Sequence, residues 1–132
     1  MKSITVSHTV SKRGEGWMSS LLESFMTELR RGTLTLAVLS QLSTPQYGYS
    51  LVQRLEEAGV AIEQSTLYPL LRRLEKQGLV TSSWDTTESR PRKYYVLSDY
   101  GMEVYQELKQ EWHKMTLELT TLLKGEDNHE AD

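Results

Sequence analysis

A mainly helical α+β fold follows from three features of the 132-residue sequence. Apolar residues recur at three- and four-residue spacing in most segments, the period of an amphipathic helix. Two β-rich runs, "LVTSSW" and "RKYYVL", lie close together between Leu79 and Leu97. Glycine, proline or serine marks nearly every boundary between segments.

Residues 1–17 show no periodicity and are rich in Ser, Thr, Gly and charge, so a disordered extension is expected there. "RGEG" followed by Trp17-Met18 can be encoded by purine-rich codons resembling a ribosome-binding site, which makes Met18 a candidate native start. From Ser19 or Ser20 a helical stripe begins with Leu21, Leu22, Phe25, Met26 and Leu29. A second stripe runs from Leu34 to Leu42; the two form either one helix or a pair bent or broken at Gly32. Pro45 closes this element, because the residue before a proline disfavours helical angles. A further helix is expected from about Tyr47 to Ala58, with Tyr49, Leu51, Val52 and Leu55 inward and Gly59 as its C-terminal cap. "VAIE" after it allows a short strand.

"STLYPLLRRLEKQGLV", Ser65 to Val80, carries Leu67, Leu70, Leu71 and Leu74 on one side of a helix. Ser65, Pro69, Arg72 and Lys76 lie opposite, with Tyr68 and Arg73 on the flanks. With Ser65 or Thr66 as N-cap, Pro69 falls in the first turn, where its missing N–H costs little. The two strand-like runs follow, joined by the polar turn "DTTESRP", which is too long for a tight hairpin. Ser98 then caps a long helix expected to reach about Lys124, and the acidic residues 125–132 are expected to be disordered. Residues 18–97 in this order describe a winged helix-turn-helix domain with an N-terminal helix, and 98–124 a long dimerisation helix.

Charge points to a partner. The net charge is −3, yet residues 65–97 hold six Lys/Arg against three Asp/Glu, while residues 98–132 hold three against nine. A polyanion would meet the middle of the chain. A helix fits the major groove of DNA and presents its N-terminal residues to base edges. Ser65 and Thr66 then reach bases or phosphates, the Tyr68 hydroxyl a phosphate, Arg72 a guanine, and Lys76 the backbone, with Arg73 beside them. "SRPRKYY" adds Arg90, Arg92 and Lys93 beside Tyr94 and Tyr95 on the wing. A solvated basic face is the plainer alternative for either element alone, and a winged-helix module docking an acidic protein is the alternative for both together.

"YGYSLVQRLEEAG", "STLYPLLRRLEKQGLV" and "RPRKYYVLSDYG" together resemble the signature blocks of the PadR family of bacterial transcriptional regulators, over roughly Arg31 to Trp112. The Tyr47–Tyr49 and Leu67–Pro69 blocks favour it over the MarR regulators. The resemblance implies a homodimeric repressor on a pseudo-palindromic operator, with Tyr47 and Tyr68 on phosphates and the wing in the neighbouring groove. It also implies the small type of the family, with a single long C-terminal helix.

Along that helix Tyr105, Leu108, Trp112, Met115, Leu119 and Leu122 follow heptad-like spacing, a seam suited to dimerisation. Small multidrug-sensing members use a tryptophan of this helix to stack planar ligands, so Trp112 is a candidate contact for a small apolar or aromatic effector. A tryptophan that only anchors the dimer is the alternative. Trp84 and Trp17 are expected to pack in the wing and the terminus.

No enzyme is expected. His8, His113 and His129 are far apart, no cysteine is present, and neither a phosphate loop nor a nucleophile elbow occurs. No metal or cofactor is implied. No apolar run approaches the roughly 20 residues of a membrane span, and no secretory signal is visible, so a cytoplasmic location is expected.

Overall fold

The computed structural model describes residues 12–131. The elements in chain order are α1 (Lys12–Ser40), β1 (Gln46–Tyr47), α2 (Gly48–Glu57), α3 (Gln64–Lys76), β2 (Val80–Asp85), β3 (Arg92–Leu97) and α4 (Asp99–Ala131). The chain forms two compact units, divided in sequence between Leu34 and Thr35. The first unit is the leading part of α1, on which Trp17, Leu22, Phe25 and Leu29 are exposed. Trp17, expected to pack at the terminus, is 66% exposed.

The second unit holds the core. Val38, Leu39 and Leu42 meet Leu51 and Leu55 of α2, the four leucines of α3, and Leu79, Val80 and Tyr95, all buried. The helical spacings select this set in α3 and around the end of α1, whereas the stripe Leu21, Leu22, Phe25, Met26 and Leu29 is exposed and α2 agrees only in part. There Leu51 and Leu55 are buried, but Tyr49 is 51% exposed and Val52 only half-buried.

Several boundaries differ from the sequence reading, each for a local reason. α1 is one helix that starts at Lys12 and passes through Gly32. A single glycine costs a helix only about 1 kcal/mol, which neighbouring turns absorb. The disorder expected for residues 1–11 lies outside the described residues. α4 likewise runs past Lys124 to Ala131. The third strand of the sheet is Gln46–Tyr47, whereas Val60–Glu63 form no strand. Gln46 and Tyr47 leave Pro45 extended and pair antiparallel with Tyr95 and Tyr94, so the sheet order is β1-β3-β2. Gln46 is buried, and its amide is satisfied at both ends, donating to Thr44 Oγ1 at 3.2 Å and accepting from Ser50 Oγ at 3.0 Å.

Both α2 and α3 end on a left-handed glycine. Gly59 (φ 87°) and Gly78 (φ 81°) let the next N–H turn back, Val60 to the Leu55 carbonyl and Leu79 to the Leu74 carbonyl. The expected Ser98 cap forms: its Oγ accepts from the Gly101 N–H at 2.9 Å and donates to the Gly78 carbonyl at 2.6 Å. One side chain thus ties the start of α4 to the end of α3.

Gly101 lies so close to the Leu79 carbonyl that a methyl group there would overlap it. Gly101→Ala is expected to destabilise the protein by about 1–3 kcal/mol through this overpacking. Gly125→Ala, with open space around it, should instead add up to about 1 kcal/mol from helix propensity. Urea denaturation of both variants checks the pair.

Candidate nucleic-acid interface

α3 is fastened by its leucines, and its opposite face is open. Ser65, Thr66, Pro69, Arg72, Arg73 and Lys76 are exposed, as their positions on the helical wheel require. The helix begins earlier than expected, at Gln64, with Glu63, two residues before Ser65, as N-cap in extended conformation and no side-chain capping bond. Glu63 caps through its carbonyl, which accepts from the Thr66 and Leu67 N–H groups at 3.0 and 2.9 Å. Ser65 and Thr66 are thus inside the helix, and Pro69 is in its second turn. The proline removes the ladder bond to the Ser65 carbonyl, which lies on the exposed face where water can satisfy it.

The strand pairing sorts the adjacent wing residues onto two faces. Ser82 pairs with Tyr95 and Trp84 with Lys93, so these four project from the same face of the hairpin. That face looks onto α3: Arg72, Arg73, Glu75 and Lys76 of α3 line an open groove with Lys93. Within it Glu75 accepts a hydrogen bond from Ser82 Oγ and stands 3.8 Å from Lys93 Nζ. Lys93 Nζ also lies over the rings of Tyr95 and Trp84, at 5.5 and 6.0 Å. Trp84, expected to pack in the wing, is 63% exposed. Burial pushes the Tyr95 phenol above its ordinary pKa, with the Glu75 and Tyr68 side chains adding to the shift and Arg72 opposing it.

The other face of the hairpin carries Arg92 and Tyr94, and here β1 delivers Tyr47. Tyr47 meets Tyr94 edge-on at 5.6 Å between ring centroids, and the Arg92 guanidinium lies 4.7 Å from the Tyr47 centroid. A guanidinium stacked in this way loses part of its rotamer freedom. Tyr49 tilts against Tyr47 at 6.5 Å. Arg90 stands in the exposed loop between the strands. Asp85 shapes that loop by accepting from both the Thr87 N–H and its hydroxyl, which hold the Asp85 carboxyl below its ordinary pKa.

Tyr68 joins the two regions. It is half-buried, and its hydroxyl rests where a Gly48 side chain would be. The glycine of "YGY" is there for space, a reason invisible without the fold. Glu75 is the other residue that the sequence reading passed over. Its only signal was an acid inside "RRLEK".

Of the residues singled out in α4, Tyr105 is half-buried, while Leu108, Trp112, Met115 and Leu119 are 40%, 40%, 52% and 52% exposed. They continue as an apolar stripe to Leu122, and the Trp112 ring meets His113 edge-on at 5.1 Å. Among the described residues no cluster of His, Asp or Glu could hold a metal ion.

The model of the Transcriptional regulator PadR-like family matches residues 35–107, more than half of the chain. This protein belongs to the PadR family. The matched segment contains all of β1, α2, α3 and the wing, and it ends within α4. A crystal structure of a PadR-family transcriptional regulator from Eggerthella lenta is similar over 80% of this chain and 95% of its own, with 49% identity and a TM-score of 0.75. A PadR-like regulator from Bacillus cereus is similar over 73% and 96%, with 30% identity and a TM-score of 0.66. A transcriptional regulator of Mycobacterium tuberculosis shares 32% identity over 77 residues, 58% of this chain and 72% of its own. The protein is therefore a winged-helix transcriptional regulator, not an enzyme, and PadR membership implies DNA binding. No described helix is long and apolar enough to cross a membrane.

The tight approach of Tyr68 to Gly48 has a measurable consequence. Gly48→Ala should displace the tyrosine ring and cost about 1–3 kcal/mol, whereas Gly48→Ala combined with Tyr68→Ala should recover part of that loss. A double-mutant cycle by chemical denaturation reads the coupling.

Proposed function

We propose that this PadR regulator is a homodimeric, sequence-specific repressor that releases a pseudo-palindromic operator when a small apolar or aromatic effector binds. One observation carries the DNA part: four cations from two separate elements, Arg72, Arg73 and Lys76 on α3 and Lys93 on β3, line one groove beside the exposed N-terminal face of α3. In this reading Ser65, Thr66 and Arg72 address base edges in the major groove. Arg73 and Lys76 meet phosphates, and Tyr47 and Tyr68 add hydroxyl contacts to the backbone. Arg90, Arg92, Lys93 and Tyr94 grip the adjacent groove from the wing. Arg92 arrives preordered by Tyr47, which lowers the entropy lost on binding. Family membership favours this over the alternative of an acidic protein docked on the same face.

The exposed stripe Leu108, Trp112, Met115 and Leu119 supports dimerisation through α4, since single surface leucines are ordinary but a continuous stripe is not. A dimer would place two α3 helices to address half-sites about 34 Å apart. Trp112, flanked by the adaptable Met115, suits a flat aromatic guest at that interface.

Binding to DNA upstream of its own gene should weaken steeply with salt, through release of counterions from several phosphates. Arg72→Ala should relax sequence preference by about 1–3 kcal/mol at one position, while Lys76→Ala, which removes a backbone contact, weakens all duplexes alike. Titrations of operator and shuffled duplexes over a salt series read both effects, and affinity that is flat in salt would count against the assignment.

Planar aromatic compounds should quench tryptophan fluorescence in the wild type and lower operator affinity. If Trp112→Ala, shown to remain dimeric, still binds such a compound as tightly by calorimetry, Trp112 is not in the effector site.

A further inference from the structure

Glu75 is out of place among its neighbours. A groove meant only to attract phosphate gains nothing from a carboxylate, yet Glu75 lines it with Arg72, Arg73, Lys76 and Lys93. It is also the residue in this groove with two partners on the wing, accepting from Ser82 Oγ on β2 and facing Lys93 Nζ at 3.8 Å on β3. Both partners lie on the face of the hairpin that looks onto α3. Side chains of Glu75 and Lys93 are about one-third exposed, 36% and 32%. An ion pair so open to water contributes little to folding. Its position suits a role in binding.

We propose that Glu75 is a positioning and specificity-determining residue for DNA binding. It holds the wing to α3 through Ser82 and neutralises part of the Lys93 charge, so that the groove binds arbitrary duplexes weakly. The role rests on the reading of this groove as a DNA-contacting surface. Two physical consequences follow. Non-specific affinity is set by the number of phosphates neutralised, so each cation masked by a carboxylate lowers it. A phosphate must also displace the Lys93–Glu75 pair to reach the lysine. It does so only where the contacts of α3 hold the backbone in place. Meanwhile the Ser82 bond keeps the hairpin at a set distance from α3, which fixes the spacing between their contacts.

The test uses the full-length chain, a duplex selected by the wild type from a random pool, and a shuffled duplex of equal length. Glu75→Gln keeps an acceptor for Ser82 and removes the charge. Affinity for the shuffled duplex should rise about twofold to fivefold, as expected for a surface pair. Its salt slope should steepen by up to about one phosphate contact, ~0.9, and the selected-to-shuffled ratio should fall. In a Lys93→Ala background the same change should have much less effect. Unchanged or weaker binding of the shuffled duplex, an unchanged slope, or an equal gain without Lys93 would each overturn the charge role. Glu75→Ala additionally removes the tether, so amide exchange in β2 and β3 should quicken relative to Glu75→Gln. Equal protection in the two variants would overturn the tether. If the wild type shows no salt-dependent duplex binding, the DNA reading itself fails, and the role of Glu75 falls with it. Wild-type binding with an inert Glu75→Gln removes only the role of Glu75.

Discussion

The basic face of this protein is held from behind. Leu67, Leu70, Leu71 and Leu74 are buried against the helices and the sheet, and each contributes about 1.5–3 kcal/mol by leaving water. That burial sets the rotation of α3 about its own axis. Ser65, Arg72 and Lys76 face outward because the leucines face inward, and any other rotation would expose the leucines or bury charge. The repulsion among Arg72, Arg73, Lys76 and Lys93 is small in water and screened over about 10 Å. The apolar seam can therefore hold four cations on one groove.

The ends of the elements transmit this placement to the wing. Gly78 closes α3, the Leu79 N–H returns to Leu74, and the Ser98 hydroxyl donates back to the Gly78 carbonyl. The hairpin between Leu79 and Ser98 is thus pinned at both roots to the end of α3. Within it, pairing with period two sends Lys93 to the α3 side and Arg92 to the Tyr47 side. Two adjacent basic residues acquire different neighbours: a carboxylate for Lys93, an aromatic ring for Arg92.

Much of this was legible in one dimension. The leucine period located α3 and its open face, "RKYYVL" marked β3 to the residue, and Ser98 announced α4. Tyr49 matches the stripe by position, but α2 is short and its first turn leaves Tyr49 exposed. "VAIE" has strand-like residues, yet the strand formed at Gln46–Tyr47, because β3 offered an unpaired edge there. Pro69 lies in the second turn and not the first, because the carbonyl of Glu63 caps the helix two residues before Ser65 without a side-chain bond. For β1 a neighbour distant in sequence decided between local options, whereas the start of α3 was set by a backbone carbonyl that any residue can supply.

The sequence by itself determined which face of α3 is buried and which remains outside, because hydrophobic periodicity is local and its energy is large. It also determined the family, through three ordered motifs. Tertiary structure alone decided that Gly48 makes room for Tyr68, that Gly101 lies against the Leu79 carbonyl, and that Glu75 faces Lys93 and Ser82. These are contacts between elements, and they depend on how close two backbones come. No spacing within either segment encodes that distance.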